Sequence, residues 1–173
     1  MEGLQIVAKL MALAAKTAPK GFGKDYLDIQ ILDGATIDKL AGEMRQCALE
    51  TGRQGFVVDA ESLKRASVIV LVGLKDAPSA GLDCAACGFA SCKEMEAQKR
   101  VDGSFKGPQC VVRLTDLGIA IGSAVSTAAY HHADNRIMLN VGVAARRLKI
   151  SNANYLVGIP LAAEAKNPFF DRK

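Results

Sequence analysis

Tryptophan is absent from this chain, and aromatic residues of every kind make up only 5% of it, three tyrosines and six phenylalanines. A surface that binds nucleic acid needs aromatic faces for base stacking beside a concentrated basic patch. Neither is present: the formal charge is +4, and 22 lysines and arginines are scattered among 18 acids. Nucleic acid is therefore not an expected partner. Histidine is scarce as well, His131 and His132 being the only two. Neighbouring side chains on a helix point about 100° apart, so this pair is poorly placed to chelate one ion. A cationic helix end is the simpler role, with a proton-handling pair as the functional alternative.

Long apolar runs are also missing. The longest, from Leu117 to Tyr130, is shorter than a bilayer span and carries Gly, Ser and Thr. The N-terminus lacks a basic region followed by a small-residue cleavage site. No G-x-G-x-x-G follows a strand-like segment, so nothing supports nucleotide binding. These absences point to a cytoplasmic chain, in a reducing compartment and without a membrane partner. With 173 residues, half of them hydrophobic, it is long enough for one domain with a sizeable core.

What stands out against that background is a cluster of thiols. Four of the five cysteines, Cys84, Cys87, Cys92 and Cys110, have the spacing C-x2-C-x4-C-x17-C. Three thiolates from one tight loop, with a distant fourth, form a donor set suited to an iron–sulfur cluster, and the spacing points to a 4Fe–4S cluster. Zinc is the nearest competitor, but structural zinc sites usually pair two short knuckles. The gap between Cys92 and Cys110 calls for a return across an intervening helix instead. A disulfide framework fits poorly with few cysteines and no secretion signal. Cys47, in line with Leu40 and Met44, reads as a buried core thiol.

The flanks read as one α/β unit. Leu4, Val7, Ala8, Leu10, Met11, Ala14 and Ala15 have helical spacing up to Pro19 and the Gly21-Phe22-Gly23 turn. Residues 26–32 alternate as a strand. Thr36 is placed to cap a helix carrying Ile37, Leu40, Met44, Cys47 and Ala48, ended by Gly52. The continuous run Val68-Ile69-Val70-Leu71-Val72 is a strand covered on both faces at the centre of a sheet. Asp116 is expected to cap a long helix to about His132, and Asp134 or Asn135 another to about Leu148. Tyr155 to Leu161 is the last strand. Gly118, Ala120, Gly122, Ser123, Ala124, Ser126, Ala128 and Ala129 would let a second helix approach closely, from this chain or from a second subunit in a homodimer. The cysteine segment, residues 80–112, is read as an insert within a single domain, residues 1–173.

Cys84-Ala-Ala-Cys87-Gly88-Phe89-Ala90-Ser91-Cys92, with the later Cys110, resembles the four-cysteine, four-iron domain of the Rnf complex B subunit and the corrinoid iron–sulfur protein. That resemblance implies Cys84, Cys87, Cys92 and Cys110 as cluster ligands. Gly88 matches a glycine that turns the backbone beside the cluster. Val111 stands where a proline commonly follows the last ligand.

The order of elements resembles the nitroreductase fold: Ala14 to Gly21, a strand, Asp33-Gly34 and a helix, then Asp116-Leu-Gly-Ile-Ala, Gly142 to Leu148 and the strand ending Val157 to Leu161. The resemblance implies a sandwich of a central sheet and helices, α/β or α+β in class, intertwined as a homodimer with FMN at the interface. The positions that resemble the flavin-contacting serine and asparagine hold Lys20 and Gly23 or Lys24, which leaves FMN doubtful. Lys16, Lys20, Lys24 and Arg172 offer positive charge for a phosphate or other anion. From about Lys9 to Arg172 the whole chain is similar to a family of prokaryotic proteins described as containing a ferredoxin domain. The residues that carry this similarity are Ala14 to Gly21, the cysteine segment, Asp116 to Ala124, Asp134-Asn135-Arg136 and Lys166 to Arg172.

Full thiolate ligation leaves no iron open to a substrate, so electron transfer to a redox partner is the expected role. A flavin-and-cluster oxidoreductase and a non-enzymatic chain stapled by zinc are the alternatives. Phe89 and Phe105 are candidates to screen the cluster from water, or ordinary core residues. The helix after Cys92, with Lys93, Lys99 and Arg100, is a weak candidate for docking an acidic partner.

Overall fold

Leu4, Ala8, Met11 and Ala15 recur at intervals of three and four residues, and they form the buried face of helix α1, Glu2–Thr17. The computed structural model describes residues 2–170. Past the end of α1 a helical turn, Gly21–Gly23, leads into strand β1, Leu27–Asp33. Helix α2, Ala35–Thr51, stops at Gly52, whose left-handed backbone (φ +70°) turns its N–H onto the Ala48 carbonyl. Helix α3, Gly55–Leu63, then leads to strand β2, Val68–Leu74. Beyond the cysteine loop come helix α4, Cys92–Glu96, and the two-residue strands β3, Val101–Asp102, and β4, Lys106–Gly107. Helix α5, Val111–Tyr130, strand β5, Asp134–Asn135, helix α6, Leu139–Arg147, and strand β6, Tyr155–Ala162, complete the core.

The main sheet has the order β1-β2-β6-β5 and is antiparallel throughout. Every residue of β2 is buried, because side chains alternate between two covered faces. Val68, Val70, Val72 and Leu74 pack with Leu4, Met11, Leu117 and Ala124 of α1 and α5. Ile69 and Leu71 pack with Leu40, Met44, Phe56 and Val141 of α2, α3 and α6. The result is three layers, helices on both sides of the sheet. Each fully buried Val, Leu or Ile contributes about 2 kcal/mol by leaving water. The closest approach of helix to sheet is at Gly142: a Cβ there would lie 1.8 Å from the Leu156 carbonyl oxygen. Only glycine lets α6 rest directly on β6.

Several boundaries differ from the sequence reading. Thr36 lies inside the first turn of α2, because Gly34 is the residue before that helix. Asp116 is not a cap. Helix α5 begins at Val111, after Cys110, and Asp116 is buried within it against Arg113. Asp134 and Asn135 pair with Ala162 and Leu161 as an edge strand, and α6 starts only at Leu139. Helix α3, rich in β-branched and turn-forming neighbours, was not legible. The return from Cys92 to Cys110 uses one short helix and the β3–β4 hairpin, so Lys99 and Arg100 lie beyond α4. The 20-residue α5 is longer than the Leu117–Tyr130 run suggests, and by length and composition alone it is sufficient to cross a bilayer. In this fold its Leu117, Ala120, Ala124 and Ala128 face packs into the core.

Candidate metal centre

The cysteine loop departs from regular structure because its backbone repeatedly enters the left-handed region. Gly81, Asp83, Ala85 and Gly88 have φ of +74°, +45°, +56° and +88°. Such residues reverse the chain within a few positions, and Gly88 does so without a Cβ penalty. Carboxylates and a hydroxyl take up the freed backbone donors. Asp83 Oδ1 accepts the Cys92 N–H at 2.7 Å, Glu94 Oε2 accepts the Ala90 N–H at 3.0 Å, and Glu96 Oε1 accepts the Ser79 N–H at 2.8 Å. Ser91 Oγ caps α4 by accepting the Glu94 N–H at 3.1 Å.

Cys84 is exposed, Cys87 and Cys92 are half-buried and Cys110 is buried. The Asp83 N–H, with the Ser79 hydroxyl, holds the Cys92 thiol below its ordinary range, and Gly81 and Leu82 N–H groups add to this. These donors favour the thiolate, the form that binds metal. Cys110 directly precedes α5. Two residues into that helix's first turn, Arg113 donates to the Pro78 carbonyl at 3.4 Å. The head of the cysteine loop and the fourth cysteine are thus tied to the same corner. The β3–β4 hairpin that leads to Cys110 is itself anchored: Phe105 stacks on Tyr155 with ring centroids 4.3 Å apart, the Lys106 N–H donates to the Asn154 carbonyl at 2.9 Å, and Arg146 donates to Ser104 O at 2.7 Å and Asp102 Oδ1 at 2.8 Å. Phe105 is therefore packed as core, while Phe89 stays in the loop, half-buried.

Among the described residues, no three His, Cys, Asp or Glu side chains are gathered tightly enough to hold a metal ion. The Arg113–Pro78 bond ties the start of α5, just after Cys110, to the segment that leads into the cysteine loop, without closing the thiols into a ligand set. The fit rests on the chemistry of the donors, four free thiols with no histidine nearby in sequence to compete, three of them in one loop whose backbone turns are left-handed. Cys47 is buried on α2, and burial pushes its thiol up.

Two of the residues expected from the sequence to hold an anion, Lys16 and Lys20, are engaged elsewhere. Lys20 Nζ donates to the carbonyls of Ala15, Lys16 and Ala18 at 3.0, 2.7 and 2.9 Å, closing the end of α1. Lys16 pairs with Asp25. Lys24 is exposed, and Arg172 lies outside the described residues. Lys16 and Lys20 are thus held within the chain's own contacts, and no flavin chemistry is derived from them. His131 and His132 stand exposed just past the end of α5, where His132 has a left-handed backbone of φ +54°.

The last part of the chain, residues 106–172, matches the family described as "Uncharacterized protein containing a ferredoxin domain". That stretch includes Cys110 and not the other three. A protein of Archaeoglobus fulgidus described as an uncharacterized protein is 43% identical over 171 residues, covering 99% of this chain and 92% of the relative. Among solved structures, the FMN-dependent nitroreductase NfnB of Mycobacterium smegmatis, in complex with NADPH, superposes with a TM-score of 0.61 at 12% identity, covering 98% of this chain and 82% of that one. A BluB-like flavoprotein of Clostridium difficile gives 0.58 at 16% identity, with 93% and 81% covered. At these identities the likeness concerns the fold, and the fold is that of the nitroreductases.

Proposed function

The chain belongs to the family of proteins containing a ferredoxin domain, and on that premise we propose that it is an electron-transfer protein holding one 4Fe–4S cluster on Cys84, Cys87, Cys92 and Cys110. The observation that carries this reading is the loop bearing Cys84, Cys87 and Cys92, turned by left-handed residues and tied back by the Cys92 N–H to Asp83 Oδ1, combined with a fourth cysteine held at the root of α5. A cluster so bound supplies one-electron transfer and leaves no iron open to a substrate. The chain's own residues orient the thiols and supply hydrogen bonds to sulfur, and the Phe105–Tyr155 stack fixes the segment that carries Cys110. Residues 80–112 act as an insert serving the single surrounding domain, in a cytoplasmic setting where thiols stay reduced. The physiological partner is a redox protein.

The same reading takes the chain as a homodimer. The outward face of α5 carries Gly118, Gly122 and Ala129, with exposed Val111, Ile119 and Tyr130 beside them. An apolar cavity of about 500 Å³ lined by Leu114, Ile121, Ile137 and Leu139 adjoins this stripe. A second copy of α5 can approach such a surface closely.

Anaerobic purification followed by iron, sulfide, zinc and flavin analysis tests the proposal. About four irons and four sulfides per chain, with visible absorbance bleached by dithionite, are expected. Zinc alone would make the segment a structural staple. Stoichiometric flavin would instead assign the chain an oxidoreductase role of the kind its structural neighbours' names state.

A further inference from the structure

The hydrogen bond from the Cys92 N–H to Asp83 Oδ1 spans nine positions of sequence, and it encloses Cys84 and Cys87 between its two ends. Cys92 is the first residue of α4, whose N-cap is the neighbouring Ser91. Local capping is thus already supplied, and a carboxylate reaching back from Asp83 serves a different purpose. It closes the three-cysteine loop into a ring. The Asp83 carboxylate accepts the Cys92 peptide N–H at 2.7 Å. Asp83 itself has a left-handed backbone, φ +45°, a conformation that Asp and Asn tolerate better than most residues with a Cβ.

We propose that Asp83 is the positioning residue of the cysteine loop, holding Cys84, Cys87 and Cys92 in one ring before a cluster is inserted. The role rests on the cluster reading given above. Asp83 does not touch the metal. It fixes the backbone from which two sulfurs project and holds the peptide N–H of the third cysteine. Neighbouring carboxylates secure the ring from outside, with Glu94 on the Ala90 N–H and Glu96 on the Ser79 N–H. The Asp83 bond is the one that joins the ring's two ends. A charge-assisted bond to a peptide N–H is short and directional, and outer partners of this kind alter metal affinity by about 10–100-fold when removed.

The test compares the full-length wild type with D83N and D83G. Asparagine keeps an oxygen acceptor and tolerates the backbone angle. Glycine also accepts the angle but has no acceptor, so its effect reports the carboxylate and not backbone strain. Each chain is reconstituted anaerobically with ferrous iron and sulfide. Iron release to a chelator, the reduction potential and Cys92 amide exchange in the metal-free chain are then measured. D83G is expected to release iron about tenfold faster or more and to lose Cys92 amide protection. D83N is expected to retain both and to show a higher potential, because removal of a nearby negative charge favours the more negative reduced state. Equal iron retention and amide protection in all three chains would overturn the positioning role alone. Failure of the wild type to take up iron and sulfide would overturn it together with the cluster reading.

Discussion

Arg113 and Asp116 form an ion pair of 3.2 Å with only 3% and 9% of their side chains exposed. The guanidinium also donates to Gly21 O at 3.2 Å and Pro78 O at 3.4 Å, and it lies 4.8 Å from the Tyr26 ring centroid. Asp116 accepts the Gly21 N–H at 2.8 Å. This pair binds the start of α5 to the turn after α1 and to the head of the cysteine loop. It explains why an aspartate that looks like a helix cap in the sequence is an interior residue.

Replacing Arg113 by methionine leaves the Asp116 carboxylate buried without its partner. The expected loss is about 3–5 kcal/mol in urea unfolding. The double variant R113M/D116L, which removes both charges, is expected to recover part of that loss. A double variant no more stable than R113M would show that the bonds to Gly21 and Pro78, and not the charge pair, dominate.

Cys47 and the other cysteines separate cleanly. C47S is expected to retain the wild-type iron and sulfide content, because Cys47 is buried in the core formed by α2, α3 and α6. C84S, C87S, C92S and C110S are each expected to reduce cluster content to about half or less, since each removes one of the proposed ligands. Metal analysis after anaerobic purification distinguishes the five variants, and unchanged content in C110S would remove it from the ligand set.

Gly142→Ala places a methyl group where the Leu156 carbonyl oxygen now lies. Helix α6 must then lift from β6, and we expect a loss of about 3 kcal/mol in chemical denaturation with the fold retained. A neutral G142A would mean that α6 shifts without cost.

Arg147, with Gln46, holds the Glu50 carboxyl down from 4.5 to about 2. A lowered folded-state value means that this contribution is complete above the unfolded value of 4.5 and is lost as pH falls toward about 2. The thermal midpoint of wild type should therefore fall more steeply over that window than that of E50Q. The pair is exposed, so high salt should narrow the difference. Parallel pH profiles at low salt would show that the pair contributes nothing.

Gly122 faces outward on α5 with nothing within 4 Å of a Cβ built on it. G122L is expected to leave the subunit folded while weakening self-association, read by sedimentation velocity against circular dichroism. A wild type that sediments as a monomer at micromolar concentration would remove the dimer proposal.

Much of this architecture is carried by local pattern. The unbroken Val68–Val72 run announces a strand with two covered faces, because an edge or half-exposed strand would alternate with polar residues. The spacing of Leu4, Ala8, Met11 and Ala15 announces α1 in the same way. Helix starts were harder to read. Asp116 and Asp134 both resemble caps, yet one is buried against Arg113 and the distant Gly21 N–H, and the other joins a sheet edge opposite Ala162, contacts that only the fold brings about.

The candidate site divides along the same line. The cysteine spacing by itself names the proposed donor set, four thiols that can be counted without coordinates. The resemblance to other iron–sulfur domains singled out Gly88 as a turn, and its backbone is left-handed, φ +88°. The bond from Cys92 back to Asp83, the Phe105–Tyr155 stack beneath the hairpin and the tie from Arg113 to Pro78 were decided only by the tertiary structure. Each joins residues whose separation is set by how the chain is routed around the sheet. Composition and spacing specify which groups are available, whereas the folding of distant segments into one corner specifies which of them meet.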